Sequence, residues 1–339
     1  MRKSGIACLM MALVFVVQCA ETSSTEGAAQ KSSALALAAE FKAASYRVDG
    51  TRGGMQTAER AWRLTEILVG SSLPRDMFET AYENRATEDS WLGAPLKDNP
   101  KLVVRYDGAS DDLIVQDIAL EEDVAGALSS PLIGEKNARA IFSDYLERME
   151  TAGLIGRDEL DLENVDLGWT KLQQGIAGGE QSPVEIVDYR FRAHRKLGDV
   201  PVKNALVRVT VSRAGIVTSL RILRGKYVVR SLGEVESMTK LADCSKRFAQ
   251  EFPKAVTEHH GMYYFLPADS KAVEAVVEPE CLFSFVGVTS FGDGERKSVS
   301  RRMDVRYSAV HPERAGLLVG ATPDPADVGD SRKEALQDR

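Results

Sequence analysis

Apolar and polar positions alternate most clearly between residues 184 and 223. Residues 184–194 place Tyr189, Phe191 and Ala193 on one side and Arg190, Arg192 and His194 on the other. Residues 205–213 repeat the pattern, with Val207, Val209 and Val211 against Arg208, Thr210 and Ser212. A third run, 215–223, follows across the turn Arg213-Ala214-Gly215. A period of two sends alternate side chains to opposite faces of a sheet, so this stretch predicts a half-buried antiparallel meander. Its apolar face needs a cover, and helical patterns flank it. Upstream, Ala138, Ile141, Phe142, Tyr145, Leu146 and Met149 form one helical stripe, with Gly153 placed as the C′ residue and Leu154 after it. Downstream, Val235, Met238, Leu241, Ala242, Phe248 and Phe252 form a second stripe that stops at Pro253.

The rest of the chain gives weaker versions of the same two patterns. Residues 34–44 are strong helix formers, and 47–56, with Gly50, Gly53 and Gly54, read as a break. Helices are predicted over 57–69 and 75–84, then a hairpin over 102–106 and 113–120. Strands are expected again at 262–266, 281–291 and 302–310, the last two joined by an Asp-Gly turn at Asp293-Gly294. Helix followed by antiparallel sheet therefore recurs, and the expected fold class is α+β, with tandem units of amphipathic helix packed on antiparallel β-sheet. The expected divisions are a signal peptide at 1–19, a flexible tether at 20–33 and a helix-plus-hairpin region at 34–130. Two α+β units at 134–230 and 231–311 follow, then a disordered tail at 312–339, where prolines and glycines break every period.

Composition narrows the partners. The chain has 339 residues, 44% hydrophobic and 27% charged, enough to bury a core. A net charge of −7 argues against nucleic acid, whose phosphates need a basic surface. At the N-terminus, Met1-Arg2-Lys3 precedes an apolar run over 6–17, too short to span a bilayer and suited to a signal-peptide core. The run ends at Val16-Val17-Gln18-Cys19, followed by the polar stretch 21–27. This arrangement resembles a bacterial lipoprotein signal, with Gln18 standing where the pattern prefers a small residue. The resemblance implies that Cys19 becomes the first residue, carries acyl chains and anchors the protein to a membrane of the cell envelope, in the periplasm or at the outer membrane. Ordinary secretion after cleavage near Ala20 is the alternative. Cys244 and Cys281 then remain, to be paired as a disulfide in an oxidising compartment or buried as two unlinked thiols.

Candidate chemistry is sparse. Of the four histidines, His259 and His260 are adjacent in Thr257-Glu258-His259-His260-Gly261, which is not a zinc-protease spacing. The acids Asp158, Glu159, Asp161, Glu163 and Asp166 lack the order of a calcium loop. Glu159, Asp161 and Glu163 alternate with Leu160 and Leu162, so a strand would set them opposite Arg190, Arg192 and Lys196 as charge pairs; the alternative is unrelated solvated faces. No nucleophile elbow, phosphate loop or aromatic platform is present, so no catalytic residue, metal ligand or cofactor is assigned.

The meander carries a second likeness. Tyr189-Arg190-Phe191, the turn Asp199-Val200-Pro201-Val202 and the strand Val207–Val211 closing at Ala214-Gly215-Ile216-Val217 resemble the PepSY and thermolysin-propeptide group over about 138–223. The resemblance implies a PepSY-like or cystatin-like build and a non-catalytic role as a chaperone, protease inhibitor or cell-surface module. The expected function is that of an exported, lipid-anchored, non-enzymatic envelope protein that binds another envelope protein or modulates a protease. The alternative is an exported hydrolase with a carboxylate-based site. Replacing Cys19 with Ala should abolish labelling by a fatty-acid analogue and release the protein from membranes; labelling that survives in Cys19→Ala would rule out the anchor.

Overall fold

The computed structural model describes residues 43–51, 57–75, 90–96, 99–107, 110–122, 124–172, 184–225, 227–235, 237–253, 255–267, 274–291 and 297–320. Cys19, the signal and tether segments, the predicted 75–84 helix beyond Arg75 and the last nineteen residues lie outside them. In chain order the strands are β1 (Ala44–Thr51), β2 (Ser90–Leu96), β3 (Asn99–Asp107), β4 (Asp112–Asp117), β5 (Asp166–Leu172), β6 (Glu185–Leu197) and β7 (Val200–Ser212). They continue with β8 (Val217–Leu223), β9 (Tyr227–Glu234), β10 (Val256–Tyr263), β11 (Val276–Val277), β12 (Glu280–Phe291), β13 (Lys297–Ser308) and β14 (Leu317–Gly320). The helices are α1 (Thr57–Val69), α2 (Ile118–Glu122), α3 (Val124–Ser129), α4 (Glu135–Thr151) and α5 (Leu241–Glu251).

The strands form three antiparallel sheets, ordered β2-β3-β4-β8-β7-β6-β5, β10-β12-β13-β14 and β11-β1-β9. This corrects the expected α+β class of tandem helix-on-sheet units, since the described chain is mostly strand with few helices. The cause is a pairing that periodicity does not reveal. β4 lies against β8, with Leu113 opposite Ile222 and Val115 opposite Leu220, so the early hairpin and the central meander share one sheet. An open β8 edge would leave a row of unpaired backbone groups, and β4 fills it while extending the same apolar face.

That face carries Leu102, Val104, Leu113, Val115, Leu220, Ile222, Val207, Val209, Phe191 and Trp169, all buried. Helices α1 and α4 cover it through Ala61, Leu64, Phe142, Leu146 and Met149. Phe142 stacks on Phe191 at 5.1 Å between ring centroids, and the Tyr189 hydroxyl donates to the Ile133 carbonyl at 2.6 Å. Helix α4 ends as the glycine pattern predicts. Gly153 takes φ 69°, its N–H reaches the Glu150 carbonyl, and the Leu154 N–H reaches the Met149 carbonyl, completing a Schellman motif.

A second core lies under α5, where Phe248 stacks on Phe283 at 4.8 Å. Cys244 on α5 and Cys281 on β12 stand in a disulfide-compatible arrangement, their Cα atoms 6.4 Å apart. The two cores meet at a seam. Val202 bridges Tyr264 in parallel, the Lys203 N–H donates to the Tyr264 carbonyl, and the Asn204 side chain both donates to and accepts from the Leu266 backbone. The Tyr264 hydroxyl reaches further, accepting from the Ala44 N–H and donating to its carbonyl.

Three local expectations change. Residues 44–51 are strand β1 rather than part of a helix and a break, because Val48, wholly buried, and Tyr46 alternate with polar neighbours against β9. Helix α5 begins at Leu241, so Val235 and Met238 precede it, although Met238 still packs on the same core. Residues 317–320 pair with β13 inside the stretch expected to be disordered. Replacing Phe191, the wholly buried ring between α4 and the sheet, with Ala should cost about 3–5 kcal/mol in urea unfolding. A cost below about 1 kcal/mol would contradict this packing.

Candidate functional site

The second face of the seven-stranded sheet is polar. Directly opposed residues run Asp166–Arg192–Arg208–Arg221–Ile114–Arg105 across β5, β6, β7, β8, β4 and β3. The next row is Gly168–Arg190–Thr210–Ser219–Gln116–Val103. The side of the sheet taken by Arg190, Arg192, His194, Arg208 and Thr210 is the one their alternation predicts. Its environment is not the solvated one: Arg208 is 4% exposed, Arg221 8% and Ser219 0%. Guanidinium groups suit enclosed polar sites because they are weakly hydrated and hold carboxylates in bidentate geometry. Arg190 lies 3.4 Å from Asp188, and Asp166 closes the end of the first row.

At that end stands a compact cluster. His194 is 6% exposed; its Nε2 lies 3.1 Å from Asp166 Oδ2 and its Nδ1 3.2 Å from the Val202 carbonyl. Lys203 lies over the Tyr263 ring at 4.9 Å from its centroid, and the Tyr263 hydroxyl is 2.5 Å from His259 Nε2. Burial would raise the Asp166 carboxyl, but the His194 hydrogen bond and the charges of Lys203, His194 and Arg192 outweigh it and hold Asp166 well below the usual range. Burial, aided by Lys203, pushes the His194 imidazole down against the opposing pull of Asp166. Burial, with Asp166 and Asp161 nearby, drives the Tyr263 phenol up, so it stays protonated. With Asp166 ionised and His194 neutral, the arrangement holds a single proton on the imidazole at neutral pH.

A second acidic corner closes the β3–β4 hairpin. Asp107 and Asp112 are direct cross-strand partners, and Asp111, at φ 55°, is sealed in a buried ion pair with Arg60 at 3.1 Å. Burial pushes the Asp112 carboxyl up to about 6; Asp107 adds to this, while the charge of Arg224 and its N–H, donated at 3.2 Å, oppose it.

Other expected sites resolve differently. Glu159 closes a short 3-10 turn and pairs with Arg195 at 3.0 Å, while Asp161 accepts from Asn164 in a loop. No strand forms over 159–163, so the expected pairing with Arg190, Arg192 and Lys196 is corrected. The turn at Gly156 and the lone bridge from Leu160 to Arg195 divert the chain before β5. Asp166, read only as one acid among several, is the residue the sheet brings to His194. Its position two residues beyond Asn164 carried no signal of that partner. An open groove of about 590 Å³ beside α1 and α4 is lined by Trp62, Glu66, Ile67 and Arg148, among others. Glu66 is the one carboxylate among the described residues of that lining, and it already accepts the Leu73 N–H at 2.9 Å. No group of His, Cys, Asp and Glu among the described residues is disposed to hold a metal ion. No described helix is long and apolar enough to cross a membrane.

Comparison with known proteins finds no matching family model, no matching curated protein and no matching solved structure.

The raised Asp112 carboxyl binds its proton more tightly in the folded than in the unfolded chain. Its contribution to stability is therefore full below the unfolded value near 3.8 and fades as pH rises through about 6. Asp112→Asn should gain on the wild type over that window, by on the order of 1–3 kcal/mol at pH 7, in denaturation curves taken at each pH unit. A constant difference across pH 4–7 would contradict the shift.

Proposed function

We propose that the chain is an exported, lipid-anchored envelope protein that binds another envelope protein, or modulates a protease, and performs no chemistry of its own. The observation that supports this reading is the outer edge of β5. The edges of the meander itself are taken, β6 by β5 and β8 by β4. Among the described strands the sheet's open edges are β2 and β5, and β5, which pairs only with β6, is the one beside the meander. An edge strand offers a row of N–H and C=O groups to an incoming extended segment, and main-chain hydrogen bonds supply the affinity. β5 is firmly based for this purpose, because Leu167 and Trp169 are buried in the core beneath it. Gly168 lies between them, and a side chain built there would meet nothing within 4 Å. A partner's side chain laid over it has room on that face, next to Arg190.

A photo-crosslinking residue at Thr170 should give a discrete adduct with one envelope protein in cells. The same residue at Lys136, exposed on α4, should give none. Equal adducts at both positions, or none at Thr170, would overturn the reading.

A further inference from the structure

We propose that His194 is an acid-sensitive latch that sets how firmly β5 and the seam to β10 are held. Its bearing on partner binding rests on the docking edge argued above; the latch itself stands on its own geometry. The imidazole lies between two acceptors, Asp166 Oδ2 on β5 at 3.1 Å and the Val202 carbonyl on β7 at 3.2 Å. Neither neighbour can donate at neutral pH, and a neutral imidazole carries one N–H. An ionised carboxylate is the stronger acceptor, so the proton belongs on Nε2, and the Nδ1 lone pair then faces the Val202 carbonyl. A second proton completes both bonds but creates a cation in a buried site.

The groups around that site decide which state wins. Asp166 faces it from β5, Arg192 from β6, Lys203 from β7 and the protonated Tyr263 from β10, while Asp161 donates its backbone N–H to the His194 carbonyl. Asp166 and the Val202 carbonyl favour the second proton, and they are outweighed. Desolvation and Lys203 disfavour it, so the folded imidazole resists a proton that the unfolded chain accepts near 6.5.

Opening at His194 bears on one place. The β6–β7 ladder shifts register between His194 and Arg195, opposite Leu206 and Val202, so residues 203–205 bulge out of it. That bulge carries the Lys203 and Asn204 bonds to Tyr264 and Leu266 that join the two cores. The latch is closed above the unfolded value. As pH falls below about 6.5, opening gains up to about tenfold per pH unit, because the opened form takes up one proton more.

Hydrogen exchange on the full exported chain tests this, with protection factors compared between pH 7.5 and 5.5. Protection over β5, 201–204 and 264–266 should fall several-fold to tenfold in the wild type, while β12 and β13 stay protected. His194→Gln keeps a donor toward Asp166 without titrating, and should be flat over the same range. Should His194→Gln fail to fold, His194→Asn serves instead, because it too cannot titrate and should be flat over the same range. Ring nitrogen NMR should show a neutral Nε2–H tautomer at pH 7.5. An imidazolium at that pH, or a wild type as flat as His194→Gln, overturns the latch. Adducts from the Thr170 crosslinker at both pH values separate the two ideas: none at either pH, with the exchange step intact, sinks the docking edge and leaves the latch standing.

Discussion

The fold depends on the strict alternation of residues along β6, β7 and β8. Once Tyr189, Phe191, Val207, Val209, Val211, Leu220 and Ile222 share one face, that face has to be roofed, and α1 and α4 roof it. Each such side chain contributes about 1.5–3 kcal/mol of burial, so a one-residue slip in register would forfeit most of the core. The same alternation leaves the arginines no choice of side. Arg192, Arg208 and Arg221 become direct cross-strand neighbours, where like charges repel. At about 5 Å and an effective dielectric near 20, one such pair costs about 3 kcal/mol before any counter-charge is included. Asp166, opposite Arg192, answers part of that repulsion, and it is drawn to the place where His194 meets it.

Features set by local periodicity were legible from the residues alone. The meander, its two faces, the α4 stripe and the Gly153–Leu154 cap follow from spacing and from the freedom of glycine at positive φ. So does the pairing of β3 with β4 around Tyr106 and Leu113. What periodicity cannot supply is which edges meet. Nothing near Leu113 points to Ile222, and nothing near Tyr46 points to Ser231, yet these contacts assign strands to sheets. The α+β expectation failed because it lacked strands such as β1, β2, β5 and β14, and because its units were cut along the chain instead of across the sheet.

The candidate site shows the same division. Alternation put His194 on the side of Arg190 and Arg192, but could not show that this side is enclosed. The approach of Asp166 needs the β5–β6 pairing, and the approach of Val202 needs the register shift at Arg195. The acids 159–163 misled because Leu160 and Leu162 mimic a strand, whereas Gly156 and the following 3-10 turn bend the backbone away. At the β3–β4 hairpin, the buried Arg60–Asp111 pair joins α1 to the turn, a tertiary fact with no local trace.

The β4–β8 junction also sets an order of assembly. Synthesis from the N-terminus delivers the β2–β4 ribbon over a hundred positions ahead of Leu220 and Ile222. Until β8 arrives, Leu113 and Val115 sit on a naked strand margin that any passing polypeptide can copy. Closure of so distant a pair is slow, and the waiting time is when aggregation competes with folding. A chain that stops before β8 would keep that margin exposed.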